Sequence, residues 1–152
     1  MRWLEHRIPP PVIGAAIALV MWGASTLPPI VAVPWVVRLT IAITFALAGV
    51  CFDLLGIVAF HRSRTTVNPL RPDKAAALVT GGVYDVTRNP MYVGMAILLL
   101  AWAVYLGSVW ALAGPAAFVA YITRFQIVPE ERALRAKFPD FDTYASRVGR
   151  WL

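Results

Sequence analysis

The sequence predicts an all-α membrane protein of about four transmembrane helices with a cytosolic C-terminal helical segment, one domain over residues 1–152. Two observations carry this. Hydrophobic residues make up 59% of the chain and charged ones 14%, where a soluble domain has about a quarter charged. The few charges are also segregated. Residues 11–27, 35–60, 91–106 and 109–127 are nearly free of them, and each stretch approaches the roughly 20 residues that cross hydrocarbon.

The basic residues orient the spans. Four crossings put both termini and the middle loop on one side. Thirteen of the 14 Lys and Arg fall there, from Arg2 and Arg7 to Arg147 and Arg150, with Arg38 alone near the other face. Positive charge marks the cytosolic side, so both termini and any active site are expected to be cytosolic, in a bacterial inner membrane. Trp22, Trp35, Tyr105 and Trp110 fall near the opposite boundary, as an interfacial belt does.

Each element follows from local signals. The first span begins in Pro9-Pro10-Pro11, since proline suits a first helical turn, and ends at Pro28-Pro29. No small-residue cleavage site follows it, which favours a retained anchor over a signal peptide. The second span is longer than a bilayer requires and is expected to tilt or project into the cytosol. In the loop 61–89, Asn68-Pro69 and Arg71-Pro72 break helix and Gly81-Gly82 permits a tight turn. Val67, Leu70, Leu78, Val79, Val83 and Tyr84 punctuate that loop and favour docking over a free excursion. Asn89 is expected as N-cap of the third span, with Pro90 at its first position. Gly107-Ser108 turns the chain into the fourth span, where Ala113, Ala117 and Ala120 form a small-residue stripe for close helix approach. Pro129 is expected to break that helix and start another reaching about Phe138, and a last short helix is expected over Phe141–Trp151.

Several classes are excluded. Cys51 is the only cysteine, so there is no intrachain disulfide, and no Cys/His spacing suggests a metal. The net charge of +6 is accounted for by topology and anionic lipid rather than nucleic acid. There is no Gly-x-Gly-x-x-Gly after a strand, hence no Rossmann domain, and no P-loop, Gly-x-Ser-x-Gly or His-Glu-x-x-His.

What polar chemistry exists is concentrated. Arg88-Asn89-Pro90 with Tyr92 stands at a helix start, where open amides and a guanidinium suit a carboxylate or phosphate. The plainer account, a cap and an interfacial anchor, is equally good from spacing alone. Glu130 and Glu131 follow Pro129 in a first turn, where acidic residues stabilise the helix dipole without any ligand. Asp53 lies about 12 Å inside the cytosolic end of span two, where an ionisable group faces a cavity or a partner. His61 has no ligating partner and reads as interfacial. Arg124, Gln126, Arg132 and Arg135 suit an acceptor headgroup or ordinary lipid phosphates equally.

Together Leu78-Val79-Thr80-Gly81-Gly82-Val83-Tyr84, Arg88-Asn89-Pro90-Met91-Tyr92, Glu130-Glu131 with Leu134 and Phe138, and Tyr144 with Arg147 resemble the integral membrane methyltransferases. That group contains isoprenylcysteine carboxyl methyltransferase and the phospholipid N-methyltransferases. The resemblance covers about Thr65 onward and implies an enzyme using S-adenosylmethionine and releasing S-adenosylhomocysteine, with membrane lipids around it and a lipidic or amphiphilic methyl acceptor. It implies cofactor contacts from Leu78, Gly82, Tyr84, Arg88, Asn89, Pro90, Tyr92, Glu130 and Glu131, catalytic roles for Arg88, Glu131 and Arg124, and no metal. Two positions depart from the isoprenylcysteine enzymes, which have His where this chain has Ala76 and commonly where it has Asn89. Transfer to a carboxylate, to an amine or small thiol, and a non-catalytic lipid-binding scaffold all stay open at this level, as does the oligomeric state.

Overall fold

Prolines and glycines punctuate the helices as their backbone chemistry requires. The computed structural model describes residues 5, 7–29, 32–62 and 77–152. All regular structure among them is helical: α1 (Pro10–Ala24), α2 (Trp35–Arg62), α3 (Pro90–Leu106), α4 (Ala113–Ile122), α5 (Val128–Lys137) and α6 (Phe141–Arg147). Short 3₁₀ turns at Gly82–Asp85 and Trp110–Leu112 precede α3 and α4. The breaks at Asn68-Pro69 and Arg71-Pro72, and the position of Ala76, lie outside the described residues.

Among the described residues, two helices are long and apolar enough to cross a membrane, Trp35–Arg62 and the continuous winding Trp110–Lys137. α1 and α3 are apolar but shorter, at 15 and 17 residues. That is about 22 and 25 Å of helix at 1.5 Å per residue.

α3 is the central element, packed by α1, α2 and α4. Its closest partner is α2, which buries Ala42, Gly49 and Gly56 at seven-residue spacing. A Cβ on Gly49 would sit 2.8 Å from the Gly94 carbonyl oxygen, and one on Gly56 would sit 2.8 Å from Met91 Cγ. Small residues at these positions let two backbones touch, which is how helices gain dispersion contact in lipid. Tight helix approach was expected instead from Ala113, Ala117 and Ala120. Those three are exposed, and α4 turns Gly114, Phe118 and Ile122 inward. Phe118 sits at the heart of the core and Gly114 lies against Met21 of α1.

Pro129 was expected to break the fourth helix and start another. The helix does not break there, because a π turn over Thr123–Ile127 precedes it. Val128 N–H reaches back to the Thr123 carbonyl, so the amide that Pro129 lacks falls where the hydrogen-bond register has already widened. One extra residue in a turn shifts the following helix face by about 100°. Arg124 and Arg132, eight apart, thereby share a face, and both pair with Glu5, at 3.7 and 3.3 Å. Arg124 and Glu131, seven apart, are separated by the same shift.

At one end of the bundle the aromatic residues gather. Trp35 meets Tyr105 edge-on at 5.4 Å, Tyr105 stacks on Trp102 at 5.3 Å, and Trp110 Nε1 donates to the Pro28 carbonyl at 2.8 Å. Arg38 lies over Trp35 at this same end. The polar loop and α5 occupy the other end.

Candidate functional site

The polar end is organised around Thr87, Arg88 and Asn89, just before α3. Gly82, with φ of 69°, opens the preceding turn in the left-handed region that glycine tolerates. Tyr84 in that turn is buried, accepts a hydrogen bond at its carbonyl from the Tyr144 hydroxyl at 2.7 Å, and meets Phe60 of α2 edge-on at 5.5 Å. Burial pushes the Tyr84 phenol well above its ordinary range, with Glu130 adding in the same direction, so Tyr84 stays a neutral wall. Leu78 is partly buried on the approach to this turn.

From there the two distant motifs converge. Arg88 Nη2 donates to Glu131 Oε1 at 2.8 Å, a pair whose side chains are only 12% and 8% exposed. Tyr92 donates its hydroxyl to Glu130 Oε2 at 3.2 Å. Pro90 is buried at the first turn of α3 and leaves no amide to satisfy.

The segment 148–152 completes the arrangement. The last helix was expected to reach Trp151, but α6 stops at Arg147 and Val148 is extended. The segment that follows lays its carbonyls across the loop. Gly149 accepts from Arg88 N–H at 2.9 Å, and Arg150 accepts from Thr87 Oγ1 at 3.1 Å and Asn89 Nδ2 at 2.9 Å. Arg150 also grips Glu131, through Nε at 2.9 and 3.0 Å and Nη2 at 2.7 Å. Trp151 Nε1 donates to Thr123 Oγ1 in the π turn at 3.1 Å.

Several expectations change in consequence. Asn89 stands at the N-cap position of α3 as expected but makes no side-chain cap bond, and its Nδ2 donates to the Arg150 carbonyl. Arg88 does not offer a free fork. Nη1 is held by the Ala145 carbonyl at 2.8 Å and Nη2 by Glu131, leaving a buried Nε without a partner. Arg124, 54% exposed, pairs with Glu5 instead of joining Arg88 and Glu131. Arg135 pairs with Asp142, and Gln126 is buried with Nε2 on the Ile8 carbonyl. These basic groups tie the chain to itself rather than standing free for a headgroup.

The two glutamates now separate in role. Glu131 accepts four hydrogen bonds from two arginines and is saturated. Glu130 has one bond, from Tyr92, and retains acceptor positions. Burial lifts its carboxyl to about 7, with Glu131 raising it further and the Tyr92 bond opposing. A carboxyl with spare lone pairs and a pKa near neutrality can bind a cation or move a proton.

Arg150, Thr87 and Trp151 were not singled out by the sequence. Arg150 and Trp151 fell within the helix expected over Phe141–Trp151, so no local signal marked them. Among the described residues no group of three or more His, Cys, Asp or Glu is placed to hold a metal ion. Asp53 is brought to neither cluster. One of its oxygens is buried without a partner against Gly94, in the α2–α3 seam.

Comparison with known proteins bears on this arrangement. A curated protein of Haemophilus influenzae, described as uncharacterized, is 41% identical over 63 residues, which is 41% of this chain and the whole of that protein. No solved structure matches. A family model for phospholipid methyltransferases matches residues 37–140, spanning α2, the polar loop, α3, α4 and both glutamates. The chain therefore belongs to the phospholipid methyltransferase family, membrane methyltransferases that act on lipid-type substrates.

Proposed function

We propose that the protein transfers a methyl group from S-adenosylmethionine to a lipid held at the cytosolic face of a bacterial inner membrane, with α1, α2, α3 and residues 109–127 as four spans and the helices α5 and α6 cytosolic. The observation that supports this reading best is the convergence of two clusters about forty residues apart. Arg88 meets Glu131 at 2.8 Å and Tyr92 meets Glu130 at 3.2 Å.

The residues present fit the cofactor. Its carboxylate suits the partnerless buried Arg88 Nε and the open amides that begin α3. Its ammonium or ribose suits Glu130, and Tyr92 offers a ring face beside it. Leu78, Gly82 and Tyr84 supply apolar and backbone wall. When bound, the cofactor supplies an electrophilic methyl on sulfur: the acceptor's lone pair bonds to that carbon as the carbon–sulfur bond breaks, and its electrons stay on sulfur. Positioning supplies much of the rate in such a displacement. Glu131, saturated by Arg88 and Arg150, holds the frame, and Glu130 is the group free to act.

An amine headgroup must lose a proton to become a nucleophile, and Glu130 is suited to take it onto a carboxylate oxygen. An N-methylated lipid is therefore the first reading. The second is a carboxylate acceptor of the isoprenylcysteine type, which needs no base. It is favoured by the excess positive charge of Arg88 and Arg150 over Glu131. Calorimetry on detergent-solubilised protein should show saturable S-adenosylmethionine binding, weakened in Glu130→Gln. Absence of heat in a folded sample refutes the enzyme reading in favour of a scaffold. Labelled-methyl transfer into total membrane lipid then decides the atom, because methyl esters release label in base and N-methyl products retain it.

A further inference from the structure

Arg38, at the aromatic end of the bundle, is a cation with no acid to meet. No Asp or Glu falls between Glu5 and Asp53 or between Asp85 and Glu130, so α1, the first half of α2, α3 and α4 bring it no counter-charge. Its guanidinium is nonetheless held in place. A Cβ on Gly107, the left-handed C-cap of α3, would collide with Arg38 Nη1, and the group lies 5.4 Å from the centre of the Trp35 ring. Nε is buried and has no hydrogen-bond partner. One residue beyond Gly107, Ser108 is 3% exposed and its Oγ lacks a partner too.

Two plainer roles do not account for these atoms. A helix C-terminus attracts cations, but among the described residues Arg38 makes no hydrogen bond to a carbonyl, and the Gly107 N–H already closes on those of Ala103 and Val104. A snorkelling arginine keeps its head in water, whereas Arg38 Nε is buried. A guanidinium has donors only, and a buried one is costly until an anion meets it. A phosphate fits, because the guanidinium fork matches its oxygens and the Ser108 hydroxyl can donate to the same group.

Depth selects the source of that phosphate. The 17 residues of α3 run about 25 Å, against a hydrocarbon core of about 30 Å. With the polar start of α3 at one interface, Gly107 comes to the level where lipid phosphates begin on the other side. Trp35 and Trp110 stand at the same end, half exposed, as rings at a headgroup boundary do. A headgroup with a free ammonium would find no carboxylate here, so an anionic phospholipid suits the site better than a zwitterionic one.

We propose that Arg38 and Ser108 form a phosphate site for an anionic phospholipid of the leaflet opposite the polar cluster, and that the bound lipid ties α2 to the turn joining α3 and α4. The site lies the length of α3 away from Arg88, and it holds whether or not the protein transfers methyl groups.

The test follows melting of the whole chain in dodecylmaltoside micelles as phosphatidylglycerol, phosphatidylcholine or inorganic phosphate is added. Phosphatidylglycerol should raise Tm saturably, and the other two much less. Arg38→Gln should weaken the apparent lipid affinity about tenfold or more, as loss of a charged hydrogen bond does, and Ser108→Ala about threefold. Arg62→Gln, at the other end of α2, should leave it within about twofold. Native mass spectrometry should count one tightly retained phosphatidylglycerol fewer in Arg38→Gln than in the unaltered protein. Ser108→Ala removes only a partnerless hydroxyl and tests the site in a folded protein should Arg38→Gln fail to fold. An equal response to phosphatidylcholine overturns the proposal, as does undiminished affinity in Ser108→Ala together with Arg38→Gln. A response to inorganic phosphate as strong as that to lipid also overturns it, assigning the site to a free anion.

Discussion

Replacing Glu131 by glutamine keeps the shape of the side chain and removes its charge from between two guanidiniums. The carboxylate accepts four hydrogen bonds, one from Arg88 and three from Arg150. The glutamine carbonyl can keep Arg88, but the new amide then turns donors toward the donors of Arg150. The two halves of the network are not equivalent. Arg88 and Glu131 are nearly excluded from water, and removing one partner of such a pair costs about 3–5 kcal/mol because the other is left as a buried charge. Arg150 is 43% exposed, so water rehydrates it, and its share is discounted to about 1 kcal/mol. Glu131→Gln should therefore destabilise by several kcal/mol and Arg150→Gln by about 1 kcal/mol. In a double-mutant cycle the Arg88–Glu131 coupling should exceed that of Arg150–Glu131. Reversible unfolding in mixed micelles measures all of these. Equal costs for the two substitutions, or a larger coupling to Arg150, would refute the view that burial and not bond count decides the strength of this network.

Further outcomes are expected at three positions. Because burial raises the Glu130 carboxyl to about 7, cation binding there should strengthen up to tenfold per pH unit below 7 and level off above it. The same raised pKa means Glu130 costs stability progressively from about pH 4.5 to 7, and both pH dependences should vanish in Glu130→Gln. Gly94→Ala places a Cβ 2.7 Å from the Gly49 carbonyl oxygen and against the Asp53 carboxyl. Backbone cannot yield there, so the α2–α3 seam should open, with a fall in Tm and loss of folded yield in detergent; a wild-type melting curve would contradict the close approach. Arg124→Ala should change turnover less than threefold, since Arg124 faces Glu5. A hundredfold loss would return Arg124 to the catalytic cluster.

Much of this protein is legible without coordinates. Helical membrane character follows from where charge is missing, since a bilayer tolerates few uncompensated charges whatever the packing. Helix starts at Pro10 and Pro90 follow from a residue that has no amide to leave unpaired. The two polar clusters stood out because polar groups are scarce in such a chain, and it was the family resemblance, not their spacing, that implied a role for them. The α2 stripe of Ala42, Gly49 and Gly56 was visible as a period of seven and was passed over for Ala113, Ala117 and Ala120. Both runs are small residues at helical spacing, and nothing local tells which one meets a neighbour.

What the sequence by itself determined is that Arg88, Asn89, Tyr92, Glu130 and Glu131 are polar groups at the ends of apolar helices. Tertiary structure decided their division of labour. The π turn before Pro129 shifts α5 so that Arg124 faces Glu5, and the segment 148–152 brings Arg150 onto Glu131. A carboxylate is a structural tie or a free acid according to how many donors reach it, and those donors come from segments nineteen to forty-three residues away. Donor count is a property of folded proximity, and no local pattern of residues encodes it.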